Sequence, residues 1–432
     1  MSQHDEKNGA TEAQAGRGLP LYTVTTRGRE PAGIHPLARS PEDWARVLEG
    51  WGERSFRAKQ VFRWIHGKGV LDPAEMTDLS KGLRERLTNE GLKPLAKLVD
   101  VRRSSDDTRK LLLELEDGAR IECVLIPMTS KSSADADLAT FDEEDGPEGG
   151  LGRDGAEPLT SDTDGERLTA RILGEQLEQK KTRVTLCIST QHGCAMGCVF
   201  CASGRRGLIR GLGAAEIVTQ VIEARRHLDP DEQLTNLVFM GMGEPLHHYD
   251  ETARAIRLLT HDDGVGLGLR RMTVSTVGLL RGIERLGADF DGKVGLAVSL
   301  HAPNDVLRSK IVPMNDKVGL SQLMDALMRY PLPKRRRITI EYILIDGIND
   351  SQANAKELCR LLRPLKVKVN LISMNRVEGT DLLGSSAEQV ARFREWVASE
   401  GYSCFVRTRR GDDVSAACGQ LAFRTELSGG TD

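Results

Sequence analysis

The stretch CISTQHGCAMGCVFCASG, Cys187 to Gly204, carries four of the chain's eight cysteines. Cys194, Cys198 and Cys201 follow the spacing C-x3-C-x2-C, and Cys187 stands seven residues upstream of the first. Three thiolates are one short of a closed tetrahedral zinc site. An iron–sulfur cluster of the [4Fe-4S] type also usually takes four cysteines, so with three it keeps one iron open to an exchangeable ligand. The competing reading is a zinc knuckle completed by His192 or a distant cysteine. Nothing pairs with the triad at zinc spacing.

Outward from this stretch the pattern is repetitive. Strand-like runs occur at 183–189, 235–240, 270–275, 293–300, 337–345, 366–373 and 403–408. Helical patterns lie between most of them, such as AAEIVTQVIEARRHL after Gly213 and SQANAKELCRLL after Asp350. Repeated βα units predict an α/β fold with a parallel sheet, here about six units forming a partial (β/α)6 barrel over residues 181–425. Ligands on such sheets sit beyond the C-terminal strand ends. The cysteine triad, Gly243-Glu244 in MGMGEPL, Ser275, Ser299-Leu300-His301 and Asn375 all fall there. The glycines let a ligand approach the backbone and Glu244 offers a carboxylate. The hydroxyl and amide groups suit a nucleoside, although each is equally at home as a strand-end cap.

Upstream, Ser40-Pro41-Glu42-Asp43 has the form of a capping box with proline in the first turn. It opens a small helical domain predicted over 39–95. KLLLELE, Asp117-Gly118 and ARIECVLIP read as a β-hairpin within a region bounded at 100–127. Residues 1–38 read as a disordered arm and 128–180 as an acidic low-complexity insertion, with a short helical pattern from Leu168 to Lys180. Residues 134–164 hold eleven Asp and Glu against Arg153 alone. Without them the chain has 59 Lys and Arg against 52 Asp and Glu, so a net charge of −3 becomes +7. A mildly basic body suits an anionic partner such as RNA without requiring one.

At 432 residues and 39% apolar content the chain can bury a large core. No apolar run approaches the ~18 residues of a membrane span, and the polar N-terminus has no secretory h-region. A cytoplasmic protein is expected. In that compartment clustered cysteines serve metals or redox chemistry more often than structural disulfides.

C-x3-C-x2-C after a first barrel strand, with Phe200 before the last cysteine, resembles the signature of radical S-adenosylmethionine (SAM) enzymes. The further motifs SFRAKQVFRWIH, RIECVLIP, VFMGMGEPL, VSLHAPND, IVPMN, EYILIDGIND and RGDDVSAACGQL resemble the RlmN/Cfr family of radical SAM RNA methyltransferases from about residue 40 to 424. The adenine-C2 branch fits better than the C8 branch, but the two share these motifs. The resemblance implies one [4Fe-4S] cluster on Cys194, Cys198 and Cys201. It implies a SAM site lined by Gly243, Glu244, Ser275, Ser299, Leu300, His301 and Asn375. Cys418 would carry a methyl group, Cys187 would be the second catalytic cysteine, and Glu122 the general base. In the implied reaction one SAM methylates Cys418. A second yields a radical that activates the S-methyl group toward carbon 2 of adenine. Glu122 then removes the ring proton, and Cys187 attacks Cys418 to release the product and leave a transient disulfide. The implied substrates are 23S rRNA and tRNA, served by a flavodoxin-type or other low-potential electron donor. A monomer with no membrane partner is expected. Read from its residues alone, Glu122 sits in a strand pattern where a carboxylate usually faces solvent, and a late lone cysteine like Cys418 is usually a small buried hydrophobe. Two positions depart from the family: Arg376 stands where proline is frequent, and Gly211 where asparagine is.

Overall fold

The computed structural model describes residues 33–128, 181–377, 379–407, 409–416, 420 and 421. Cys418, the arm through residue 32 and the 129–180 insertion with its Leu168–Lys180 pattern lie outside the described residues.

Three strands come first: β1 (Ala96–Arg103), β2 (Arg109–Leu115) and β3 (Arg120–Met128). After the insertion follow β4 (Thr182–Cys187), two short strands β5 (Gln191–Gly193) and β6 (Leu208–Gly211), then β7 (Glu232–Phe239), β8 (Met272–Thr276), β9 (Gly295–Ser299), β10 (Ile338–Leu344), β11 (Val367–Ser373) and β12 (Cys404–Val406). Ten of them form one sheet in the order β1-β2-β3-β4-β7-β8-β9-β10-β11-β12. From β4 to β12 every pairing is parallel, as the alternating pattern predicts. Helices such as Ala214–Arg225, Tyr249–Thr260 and Gln352–Leu362 make the crossovers. Their apolar faces pack on Leu186, Leu237, Val274, Leu296, Ile340 and Leu371 in a single main core.

β1, β2 and β3 continue this sheet in antiparallel sense. The predicted hairpin is therefore two thirds of a three-stranded meander that begins at Ala96. β1 escapes the sequence pattern because its faces are intermediate and exposed, with no apolar alternation to read. β3 pairs directly with β4, Val124 opposite Cys187. The insertion thus joins two adjacent antiparallel strands, and Glu122 and Cys187 lie on neighbouring strands.

The helical domain begins where the capping box places it. Ser40 Oγ accepts from the Asp43 N–H at 3.2 Å and Asp43 accepts from the Ser40 N–H at 3.1 Å. The boundary of the arm at residue 38 is a correction: Ile34, Leu37 and Ala38 are already buried and the turn Pro36–Ala38 is ordered. Short polar-flanked segments of this kind have too few apolar residues to reveal their period. The domain docks on the barrel through Asp43 to Arg254 at 3.0 Å and Arg63 to Asp263 at 2.5 Å. Arg225 donates to the carbonyls of His66 and Gly67.

Candidate active site

Side chains from β7 to β11 and Arg407 line one cleft of about 870 Å³, so the sheet curves around it. Cys194, Cys198 and Cys201 close one wall, and Gly243, Glu244, Ser275, Ser299 and His301 share the same cleft.

The cysteine loop is held tightly at its base. β5 and β6 pair across it, and the Cys194 N–H donates to the Gly207 carbonyl at 3.0 Å. Gly193 has φ +79, and a Cβ there would meet the Gly207 oxygen at 1.9 Å. Gly204 presses on the Cys198 backbone, with no room for a side chain. Burial pushes the Cys194 thiol up to about 12, with Cys201 and Glu244 adding repulsion, and it holds Cys198 well above an ordinary thiol. Three thiolates can coexist here only against a cationic centre, which is what a metal cluster provides. Among the described residues no three His, Cys, Asp or Glu groups are placed to hold one metal ion. His192, the nearby ligand a zinc knuckle would recruit, is on β5 and is not part of the cleft wall.

Glu244 is fixed at the end of β7. Its oxygens accept from the Leu246 N–H at 3.1 Å and the Val277 N–H at 3.0 Å. Its own N–H donates to Gln191 Oε1 at 2.9 Å. Burial nevertheless raises its pKa to about 7. A buried carboxylate of this kind gains from an incoming ammonium group. Gly241 and Gly243 are required by close approach: a Cβ would meet Ile188 at 2.7 Å and Gln191 at 2.6 Å respectively, and Gly243 has φ +106. Ser275 and Ser299 face one another at 3.5 Å. His301, at φ +61, accepts from the Ile343 N–H through Nδ1 at 3.0 Å and meets Phe200 edge-on at 4.7 Å. Burial lowers its pKa to about 3, so the ring is neutral.

The structure does not bring every predicted residue to this wall. The Leu300 side chain is in the main core, leaving only its backbone near the strand end. Asn375 is buried just past β11 but does not line the cleft. Glu122 and Cys187 form a second group beside it. Cys187 packs with Val124, Val238, Met242 and Leu421, and Ala416 packs against the same cluster. Ala416 and Leu421 bracket Cys418 in sequence. Ser203, just past the last cluster cysteine, donates to the Leu421 carbonyl. Glu122 is 4% exposed rather than on a solvent face. Burial raises its pKa while Lys110, 3.0 Å away, acts in the opposite direction. Its carbonyl accepts from Ser189 Oγ at 2.7 Å, and Ser189 Oγ in turn accepts from the Met242 N–H at 2.9 Å, tying β3 to the Gly-rich turn.

Three residues of the site had no sequence signal. Arg308 is 1% exposed and donates to the carbonyls of Leu300 and Val277 and to Asn315. It joins the ends of β8 and β9 with a charge that reads from sequence as helix surface. Glu341 lies in the cleft wall beside Ser299 and Asn370 in register, with Oε1 accepting from Asn370 at 3.2 Å. Its apolar neighbours disguise it as a strand interior. Lys110 is the third.

Residues 40–91 match the N-terminal domain of ribosomal RNA large subunit methyltransferases, and residues 188–359 match the radical SAM superfamily. A dual-specificity RNA methyltransferase RlmN from Sorangium cellulosum is 53% identical over 394 residues, 90% of this chain and 96% of that protein. The chain belongs to the RlmN family of radical SAM RNA methyltransferases. A family member from Geobacter sulfurreducens is 40% identical, over 88% of this chain and 90% of its own. A crystal structure of a radical SAM methyltransferase from Sphaerobacter thermophilus superposes with a TM-score of 0.73 at 38% identity, covering 89% of this chain and 98% of that one. Membership of the family implies the radical SAM cofactors, a [4Fe-4S] cluster and SAM.

Proposed function

We propose that this chain methylates carbon 2 of adenine in 23S rRNA and of an adenine beside the anticodon in tRNA. Cys194, Cys198 and Cys201 would hold the cluster. Gly243, Glu244, Ser275, Ser299, His301, the Leu300 backbone and Asn375 would hold SAM, with Glu244 taking its ammonium group. When bound, the cluster and SAM supply a 5′-deoxyadenosyl radical, the reagent that a carbon without an acidic hydrogen demands. The chain's own residues do the rest. Cys418, as a thiolate, accepts a methyl group at sulfur by displacement. Glu122, buried beside Lys110, removes the ring proton. The Cys187 thiolate attacks the Cys418 sulfur and breaks its bond to the methylene carbon joined to the base; that carbon takes a proton to become the new methyl group, and the disulfide left behind is opened by an external two-electron reductant.

The observation that carries this reading is the packing of Cys187 with Ala416 and Leu421, one strand from Glu122 and against the wall of the cleft. Among the described residues no helix is long and apolar enough to cross a membrane. The same reading takes the chain to be a cytoplasmic monomer fed by a flavodoxin-type donor. The test is an anaerobic assay of reconstituted chain with SAM, reductant and 23S rRNA fragments or tRNA, read by mass spectrometry of nucleosides. 2-Methyladenosine is the expected product; 8-methyladenosine would move the chain to the C8 chemistry. Cys418→Ala should give neither, and a Cys418→Ala variant that still methylates would overturn the carrier role. Glu122→Gln should slow turnover by roughly 10²- to 10⁴-fold, the usual contribution of a general base.

A further inference from the structure

Lys110 is a buried cation whose partners come from two distant parts of the chain. On β2 it stands opposite Val124, diagonal to Glu122 on the same face of the ladder. Its ammonium lies 3.0 Å from Glu122 Oε1. It also donates to the Ser415 carbonyl at 3.2 Å. Lys110 is 9% exposed and Glu122 4%, so both contacts are largely out of water, where a paired charge counts for more. The other carboxylate oxygen, Glu122 Oε2, is buried with no hydrogen-bond partner among the described residues, which leaves it available to a reacting group.

The turn that Lys110 grips is strained. Ser415 has φ +52, an uncommon conformation for a residue other than glycine, and such a residue persists only where its surroundings hold it. The surroundings are the turn between β1 and β2. Asp106 accepts from the Gly411 N–H at 3.1 Å, and Asp413 accepts from the Ser105 N–H at 3.1 Å. Gly411, at φ +64, packs so close to Thr108 that a Cβ would meet its methyl at 3.0 Å. The meander that carries Glu122 therefore also seats the turn three residues before Cys418.

We propose that Lys110 is a positioning residue that couples the base to the methyl carrier, one ammonium group orienting Glu122 and seating the turn that leads to Cys418. The proposal rests on the roles given above to Glu122 and Cys418. Of the charged and titratable groups on the elements packed around Glu122, those that act on it are Lys110 on β2 and Arg102 on β1, with Cys123 beside it and Cys187 opposite Val124 on β4. The C-terminal turn adds Asp413, and Arg410 paired with Asp106 at 3.9 Å. Among the described residues Lys110 is the one in direct contact with the carboxylate.

The test compares Lys110→Met, Lys110→Arg and Glu122→Gln in the reconstituted full chain through two readouts. One is the pH profile of single-turnover methylation of RNA. The other, without RNA, is S-methylation of Cys418, followed by peptide mass after incubation with SAM and reductant. Lys110→Met should move the acid limb up by about one pH unit, because the lost cation no longer favours the carboxylate, and should slow Cys418 methylation several-fold. Lys110→Arg should keep the limb near its wild-type position. Glu122→Gln should remove the limb and leave Cys418 methylation intact. Should Glu122→Gln retain wild-type turnover, the base assignment fails by itself, and the methylation readout still decides whether Lys110 seats the turn. A Lys110→Met chain with wild-type limb and wild-type methylation overturns the proposal, as does movement of only one readout. Visible cluster absorbance equal to wild type shows that the variant is folded.

Discussion

Two walls meet at the mouth of this barrel, and they are built differently. On one, a single loop delivers Cys194, Cys198 and Cys201 within eight residues, clamped by the short β5–β6 ladder. On the other, Glu122, Lys110, Cys187 and the turn at 411–415 arrive from three separate parts of the chain. The first wall is local and its chemistry is written in spacing. The second exists only because β3 pairs with β4 and the C-terminal turn folds back on the β1–β2 turn. A group assembled from local sequence keeps its geometry through loop contacts. A group assembled across the sheet depends on register, and a slip of one residue would turn Glu122 to the opposite face.

The sharpest way to separate the walls is to remove one cysteine from each. Cys194→Ala, Cys198→Ala or Cys201→Ala should abolish both the visible iron–sulfur absorbance and all turnover. Cys187→Ala should keep the absorbance but leave the RNA covalently trapped on Cys418, with no methylated product released. Loss of absorbance in Cys187→Ala would mean that the walls are not independent.

A smaller effect tests the cleft itself. Glu244 has a pKa of about 7 in the folded chain, raised by burial above its unfolded value. Its contribution to stability is therefore full below the unfolded pKa and is lost as pH rises through about 7. An ammonium ligand that needs the ionised form binds better as the same proton leaves. SAM affinity should be about tenfold weaker at pH 6 than at pH 8, seen as a smaller ligand-induced rise in melting temperature at the lower pH. Glu244→Gln should flatten that dependence and weaken binding throughout.

The smallest effect concerns the departure at Gly211. It packs against His248, whose Cδ2 would lie 2.5 Å from a Cβ. Gly211→Asn should cost about 1–3 kcal/mol, the usual penalty of overpacking, measured by urea unfolding. His248→Ala in the same chain should recover most of the loss. An additive double mutant would show that the ring is not the reason for glycine here.

Sequence reading reached the first wall because a metal-binding triad must place its donors by spacing, and because βα alternation requires apolar strands with helical spacers. It named Gly243-Glu244 through glycines that no larger residue can replace, and it placed the helical domain by a capping box. It misjudged the environment of Glu122. Lys110, Leu112 and Glu122 share the face opposite the core-facing Leu111 and Leu113, and alternation labels that face as solvent. The label fails because a turn three hundred residues away covers it. Arg308 escaped for the same reason: helical periodicity assigns a face, not what later packs upon it.

By itself, then, the sequence of this protein determined the partial barrel with its parallel sheet and the loop of three cysteines, since these follow from local period and spacing. The tertiary structure decided which carboxylate is buried, which lysine meets it and which turn they hold. Those depend on contacts between segments that are far apart in the chain and whose side-chain types are, in isolation, indistinguishable from ordinary surface.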